Sequence, residues 1–145
     1  MKQFLASLAL LAVLTSGASA AATPAQKESL TKTNRGCDGH VIGRLYLQPF
    51  GFVNLVKTGS DKLVANVVLQ GGTPSTNFNV RLIQITGASD CGSCDSGGAT
   101  LTTDSKGNGN VNVQQAVIPG VTSAWVDLNN KADCDDFFTT VPLSF

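Results

Sequence analysis

The sequence predicts an all-β fold, an antiparallel β-sandwich of seven to eight strands cross-linked by disulfides. From Val41 onward, apolar residues recur at every second position, which is the periodicity of a strand with one buried face. Segments rich in Gly, Pro, Asn and Asp interrupt this pattern at intervals of about 8 to 12 residues. No long stretch has the periodicity of an amphipathic helix. These three observations are typical of a sandwich or barrel.

Seven strands follow from this pattern. They cover residues 41–57, 61–70, 77–86, 99–103, 109–118, 123–129 and 136–144. The first of them contains Pro49 and Gly51, and proline cannot donate a hydrogen bond to a sheet. We therefore expect this segment to be a kinked edge strand or two short strands.

Most of the predicted strands have a clear inward face. Leu63, Ala65, Val67 and Leu69 alternate with polar residues, as do Phe78, Val80 and Leu82, Val111 and Val113, and Ala124, Val126 and Leu128. A shift of one residue in the strand register would expose each set of apolar side chains to solvent, so the register is expected to be well defined. Trp125 falls on the opposite side of its strand from this inward face.

The first 36 residues differ from the rest of the chain. Residues 1–20 combine a basic start, an apolar run from Phe4 to Leu14 and the small residues Ala18-Ser19-Ala20, which is the pattern of a secretory signal peptide. Residues 21–36 are polar and aperiodic, and we interpret them as a flexible lead or a cleaved pro-segment. The β-sandwich domain is then residues 37–145.

An exported chain meets an oxidising compartment, so its four cysteines are expected to form disulfides. If 41–57 is one kinked strand, Cys37 lies at the same end of the sandwich as Cys134, and Cys91 pairs locally with Cys94. If that segment is a hairpin, Cys37 lies beside Cys91 and Cys94 instead. The first arrangement lets all four cysteines pair, so the expected bonds are Cys37–Cys134 and Cys91–Cys94.

The composition excludes several classes of partner. Ten Lys and Arg balance ten Asp and Glu, and the basic residues are scattered. Nucleic acid, which needs a basic stripe, is therefore not expected as a partner. The apolar run near the start is too short to span a bilayer, so no membrane span is expected.

The sequence contains no recognisable catalytic set. The only histidine is His40, no G-x-S-x-G segment is present, and the only glutamate, Glu28, lies in the polar lead. The protein is expected not to be an enzyme and to need no cofactor. A thiol-disulfide activity of Cys91-Gly92-Ser93-Cys94 is an alternative, although no helix is predicted there to activate a thiol.

The sequence also offers residues for two kinds of binding site, one for calcium and one for a sugar or a protein partner. Zinc is not expected, because the four cysteines form one C-x-x-C and two distant single residues. The cluster Asp133, Asp135 and Asp136 supplies carboxylate oxygens that calcium prefers. Four aromatic residues are candidates for stacking on a sugar ring or anchoring a protein: Tyr46, Phe50, Phe52 and Trp125.

The strand at 77–82, the cysteine-bearing loop after it and the turn Thr102 to Gly109 form a pattern that resembles small secreted immunoglobulin-like β-sandwich proteins of microbes. The resemblance covers about residues 41–145. It implies an immunoglobulin-like sandwich and says little about function, since one fold supports many functions.

The function expected from the sequence is therefore that of a secreted, extracellular, non-enzymatic protein. It would act by surface contact, as an effector, an adhesion module or an envelope component, on an extracellular protein or glycan. A carbohydrate-binding module, based on the four aromatic residues, and a redox protein, based on the C-x-x-C segment, are the alternatives.

Overall fold

A computed structural model describes residues 21–145 and confirms the all-β sandwich, with two antiparallel sheets packed face to face. The described residues contain no helix. The predicted signal peptide, residues 1–20, lies outside them.

Nine strands make up the two sheets. They are β1 (Gln26–Ser29), β2 (Gly51–Lys57), β3 (Lys62–Leu69), β4 (Asn77–Gln84), β5 (Ala99–Thr102), β6 (Gly109–Ala116), β7 (Ser123–Asn130), β8 (Asp133–Thr139) and β9 (Leu143–Ser144). Five of the seven predicted strands agree with β3 to β7 to within two residues at each end.

The first sheet has the order β1-β2-β3-β6, and the second has the order β5-β4-β7-β8 with β9 also paired to β7. Consecutive strands pair as hairpins at β2–β3, β4–β5 and β7–β8. The chain passes from one sheet to the other after β3, β5 and β6. Residues distant in sequence are thereby brought together across the core.

The core lies between the sheets, and the predicted inward faces are confirmed. The residues of β3, β4 and β7 that were predicted to point inward are buried between the sheets, because successive side chains point to opposite faces of a strand. The fully buried side chains include Leu63, Ala65, Val67, Leu69, Phe78, Val80, Val126, Leu128 and Phe138.

Residues 41–50 are not part of a strand, which corrects the expected strand over 41–57. They form the return of an irregular hairpin, in which the Ile42 amide donates to Asn34 O and the Asn34 amide donates to Arg44 O, each at 3.0 Å. Gly39, with φ of 79°, makes the turn. After β1, the chain returns to the first sheet at Phe50, whose amide donates to Leu30 O at 2.8 Å.

The segment 21–36 is not a flexible lead over its whole length, which corrects a second expectation. It contributes β1, which pairs with β2. Leu30 and Thr33 are completely buried, and the Thr31 and Thr139 backbones exchange hydrogen bonds of 2.9 and 2.8 Å. The periodicity of this polar segment is weak because it needs only one apolar anchor, Leu30, to dock on the edge of the sandwich.

The predicted strand over 136–144 is divided into β8 and β9. Pro142 has no amide hydrogen and therefore interrupts the pairing. Before it, the Thr140 amide donates to Val126 O at 3.0 Å, and Thr140 Oγ1 accepts from the Val126 amide at 3.1 Å.

Two leucine substitutions test this assignment of the core. Leu128→Ala removes a fully buried side chain and is expected to lower the free energy of unfolding by about 2 to 5 kcal/mol. Leu47→Ala, at a side chain that is 74% exposed, is expected to change it by less than about 0.5 kcal/mol. Urea unfolding of both variants provides the measurement, and equal losses would contradict the assignment.

Candidate functional site

The outward face of the second sheet is covered, although such a face commonly meets solvent. The outward-pointing residues Asn79, Trp125, Asp127 and Asn129 are all buried. Two segments lie over them: residues 34–42 of the irregular hairpin and loop 87–98, which we together call the cover. Asn79 and Asp127 are hydrogen-bonded within the protein, whereas the buried Asn129 Nδ2 has no partner among the described residues.

Side chains of β4 hold loop 87–98 in place. Asn79 Nδ2 donates to Cys94 O at 3.0 Å and to Ser96 O at 2.9 Å. Arg81 Nη1 donates to Gly92 O at 3.0 Å and to Cys91 O at 3.2 Å. The loop therefore returns along β4 in the antiparallel direction, with Cys91 beside Arg81 and Cys94 beside Asn79.

The centre of this face is an ion pair between Arg81 and Asp127, which are opposite each other on β4 and β7. Arg81 Nε donates to Asp127 Oδ1 at 3.0 Å, and a second bond joins Nη2 to Oδ2. The two side chains are only 14% and 6% exposed. Burial raises the pKa of Asp127, and the Arg81 guanidinium acts in the opposite direction.

Two disulfides connect the cover to itself and to β8. Cys37–Cys91 joins the hairpin segment to loop 87–98, and Cys94–Cys134 joins that loop to β8, with Cα atoms 5.6 and 6.0 Å apart respectively. The expected pairs Cys37–Cys134 and Cys91–Cys94 are thus wrong. They assumed that Cys91 and Cys94 share one end of the sandwich, whereas the loop runs along the strand and brings them to different partners.

A cleft of about 410 Å³ remains beside the ion pair, between the cover and β8. Arg35, Trp125, Asp127 and Phe137 are among its lining residues. Arg35 Nη1 donates to Gly39 O at 2.9 Å and Nε to Thr139 Oγ1 at 3.3 Å, and burial lowers the pKa of its guanidinium. The Arg35 guanidinium thus binds a backbone oxygen and a hydroxyl oxygen of the protein itself, and these bonds hold the cover in place.

The four aromatic candidates are not brought together on one surface. Tyr46 is partly exposed and stacks on Phe50 with ring centroids 6.3 Å apart, while Phe50 packs on buried Phe138. Lys27 lies over the ring of Phe52. Trp125 is only 2% exposed and donates from Nε1 to Cys37 O at 3.2 Å. Trp125 does lie on the opposite side of its strand from the core, as predicted, but the cover hides it.

The three aspartates proposed as calcium ligands have separate surroundings. Asp136 accepts from Thr73 Oγ1 at 2.6 Å and from Asn130 Nδ2 at 3.1 Å. Asp133 Oδ1 accepts from the Asp135 amide at 3.0 Å, and Asp135 lines the cleft. Within residues 21–145, no group of three or more His, Cys, Asp or Glu side chains is placed to hold a metal ion.

Residues 41–47 form an exposed stretch that we call the apolar ribbon. Four apolar side chains point to solvent, with exposed fractions of 43% for Val41, 66% for Ile42, 58% for Leu45 and 74% for Leu47. The backbone beneath them is fixed, because buried Thr33 accepts from the Tyr46 amide at 3.2 Å and donates to Tyr46 O at 3.0 Å. The sequence predicted a kinked edge strand or two short strands over 41–57, so an exposed ribbon outside any strand was not predicted.

A scan of protein-family models and searches of curated proteins and of solved structures found no match to this chain. Among the residues that the structure describes, no helix is both long enough and apolar enough to cross a membrane.

Substitution of the ion pair tests its place in the covered face. Arg81→Met or Asp127→Leu alone is expected to lower the free energy of unfolding by about 3 to 5 kcal/mol, because each leaves a buried charge without its partner. The double variant is expected to lose less than the sum of the two, since no uncompensated charge remains. Chemical unfolding with the disulfides intact measures this, and strictly additive losses would show that the pair does not act as a unit.

Proposed function

We propose that the protein is exported and acts outside the cell as a non-catalytic protein, through contact of its surface with a partner. The signal-peptide pattern of residues 1–20 supports export. The two disulfides are consistent with an extracellular location, because such bonds persist in oxidising compartments.

The apolar ribbon is the observation that carries this proposal. Large apolar side chains that are exposed singly are common on proteins, but a contiguous exposed patch marks an interaction site. Val41, Ile42, Leu45 and Leu47 lie within seven residues of chain. Full burial of an exposed apolar side chain contributes about 1.5 to 3 kcal/mol before the costs of association, and each of these partly exposed side chains contributes a fraction of that.

The ribbon is also held in one conformation, which favours binding. Thr33 anchors it at Tyr46, the Asn34 backbone anchors it at Ile42 and Arg44, and Cys37 is joined to loop 87–98. A surface that is ordered before binding loses less conformational entropy when it binds. The buried polar face beneath the cover then has a structural role, because it positions the hairpin that presents the ribbon.

The finer assignment of an immunoglobulin-like sandwich belongs to the same proposal. Adjacent β2, β3 and β6 in one sheet facing β4, β7 and β8 in the other support it, because the immunoglobulin fold joins its strands in a similar order. The chain departs from antibody domains in having its disulfides on the covered face and its tryptophan outside the core.

The alternatives from the sequence have less support. Cys91 and Cys94 are bonded to distant cysteines, which leaves no vicinal pair for thiol-disulfide exchange. Of the four aromatic residues, Tyr46 lies within the ribbon, whereas Trp125 is buried beneath the cover. A flat platform for sugar rings is therefore not formed by these residues together.

The proposal is tested by measuring how much fluorescently labelled protein is retained on intact cells of the kind that exports it. The same measurement is made on polysaccharides purified from the walls of these cells. The double substitution Ile42→Ser and Leu47→Ser is expected to lower retention on cells about tenfold or more, because both side chains lose their apolar contact. Ile118→Ser, at an apolar side chain that is 45% exposed on another loop, is the matched control and is expected to retain binding.

Equal retention of the ribbon variant and the wild type would contradict the proposal. Binding to purified polysaccharide that survives the ribbon substitutions and is lost in Tyr46→Ala would instead favour the carbohydrate-binding alternative.

A further inference from the structure

Strand β6 is an edge of the first sheet, and part of its backbone has no partner among the described strands. The Val117 amide donates to Asp61 O on the β3 side at 2.8 Å. Because successive residues of a strand direct their backbone groups to opposite sides, those of Asn112 and Gln114 face away from β3. A groove of about 510 Å³ borders these residues, so there is room beside them.

This edge lacks the features that usually protect an edge from pairing with another chain, namely charges, proline, a bulge or short length. The strand is eight residues long, with the sequence GNVNVQQA. The other edges differ: β1 carries Lys27 and Glu28, β8 carries three aspartates, and β5 has only four residues. Among the described sheet edges, β6 is therefore the long, uncharged one.

A row of amide side chains continues to the same edge. Asn112 Nδ2 donates to Asn66 Oδ1 on β3 at 2.7 Å, and Gln114 Nε2 donates to Asn112 Oδ1 at 2.9 Å. Each amide group both donates and accepts hydrogen bonds, so such a row can be extended by identical side chains from a neighbouring strand. A charged partner would not extend it in this way.

We propose that β6 pairs with β6 of a second copy of this chain, in an antiparallel arrangement about a two-fold axis through Val113. Asn112 of one copy lies opposite Gln114 of the other, and the two residues exchange backbone hydrogen bonds on both sides of the axis. In a symmetric pair each strand lies beside an identical strand, so a charged residue near the axis would lie close to the same charge in the other copy. The absence of charge in β6 is what makes the second copy a suitable occupant.

The extent of this pairing is limited by Gln84 of β4. Its Nε2 donates to Ala116 O at 2.9 Å and to Gln115 Oε1 at 3.2 Å, which occupies the end of the edge. Pairing is thus centred on Asn112 to Gln114. The surface lies apart from the apolar ribbon, so this inference does not depend on the proposed function.

Analytical ultracentrifugation over a range of protein concentrations tests the proposal. The wild type is expected to show a monomer–dimer equilibrium. Gln114→Lys and Gln114→Glu are each expected to weaken the dimer about fivefold or more, because the two copies bring like charges together across the axis. Gln70→Lys, at an exposed residue just after the interior strand β3 and outside the amide row, is the control and is expected to leave the dimer intact, and far-UV circular dichroism checks that each variant is folded.

Mixing the two charged variants gives the sharper result. An equimolar mixture of Gln114→Lys and Gln114→Glu is expected to recover dimer, because the charges at the axis are then opposite. Dimer loss in each variant alone with recovery in the mixture supports the proposal. A protein that is monomeric at all concentrations, a dimer unaffected by both substitutions, or folded charged variants that do not recover when mixed would overturn it.

Discussion

The buried pair of Arg81 and Asp127 is the interaction on which the covered face of the second sheet depends. A buried charge is tolerated only when it is paired and its remaining hydrogen-bonding groups are satisfied. Arg81 meets both conditions, since it binds the Asp127 carboxylate and the carbonyl oxygens of Cys91 and Gly92. The pair holds the loop, and the loop in turn excludes water from the pair.

The disulfides hold these same segments together covalently. Cys37–Cys91 and Cys94–Cys134 connect the irregular hairpin, loop 87–98 and β8 in one series. The hairpin that carries the apolar ribbon is thereby fixed to the sandwich at its turn, while Thr33 fixes it at its base. The buried ion pair and hydrogen bonds of the covered face thus determine the position of the apolar ribbon on the surface. The irregular hairpin and loop 87–98 therefore serve a single structural purpose.

The sequence was informative where local periodicity decides the structure and not where the path of a loop decides it. Leu63, Val80 and Val126 follow the period of two, so their burial was predictable. The disulfide pairing depends on loop 87–98 running back along β4. Asn79 and Arg81 hold the loop there through hydrogen bonds to its carbonyl oxygens, and such bonds leave no periodic pattern in the sequence. The burial of Trp125 likewise depends on the cover. The ribbon was missed because residues 41–57 were expected to form a kinked edge strand or two short strands, whereas residues 41–50 belong to the irregular hairpin.

Tryptic mapping of the unreduced protein, with any free thiols blocked, tests the disulfide-connected cover most directly. Cleavage after Arg35, Arg44, Arg81, Lys106 and Lys131 places Cys37 in peptide 36–44, Cys91 and Cys94 in peptide 82–106, and Cys134 in peptide 132–145. The structure predicts one species in which all three peptides are linked through 82–106. A species joining only 36–44 to 132–145, with 82–106 closed on itself, would contradict the account.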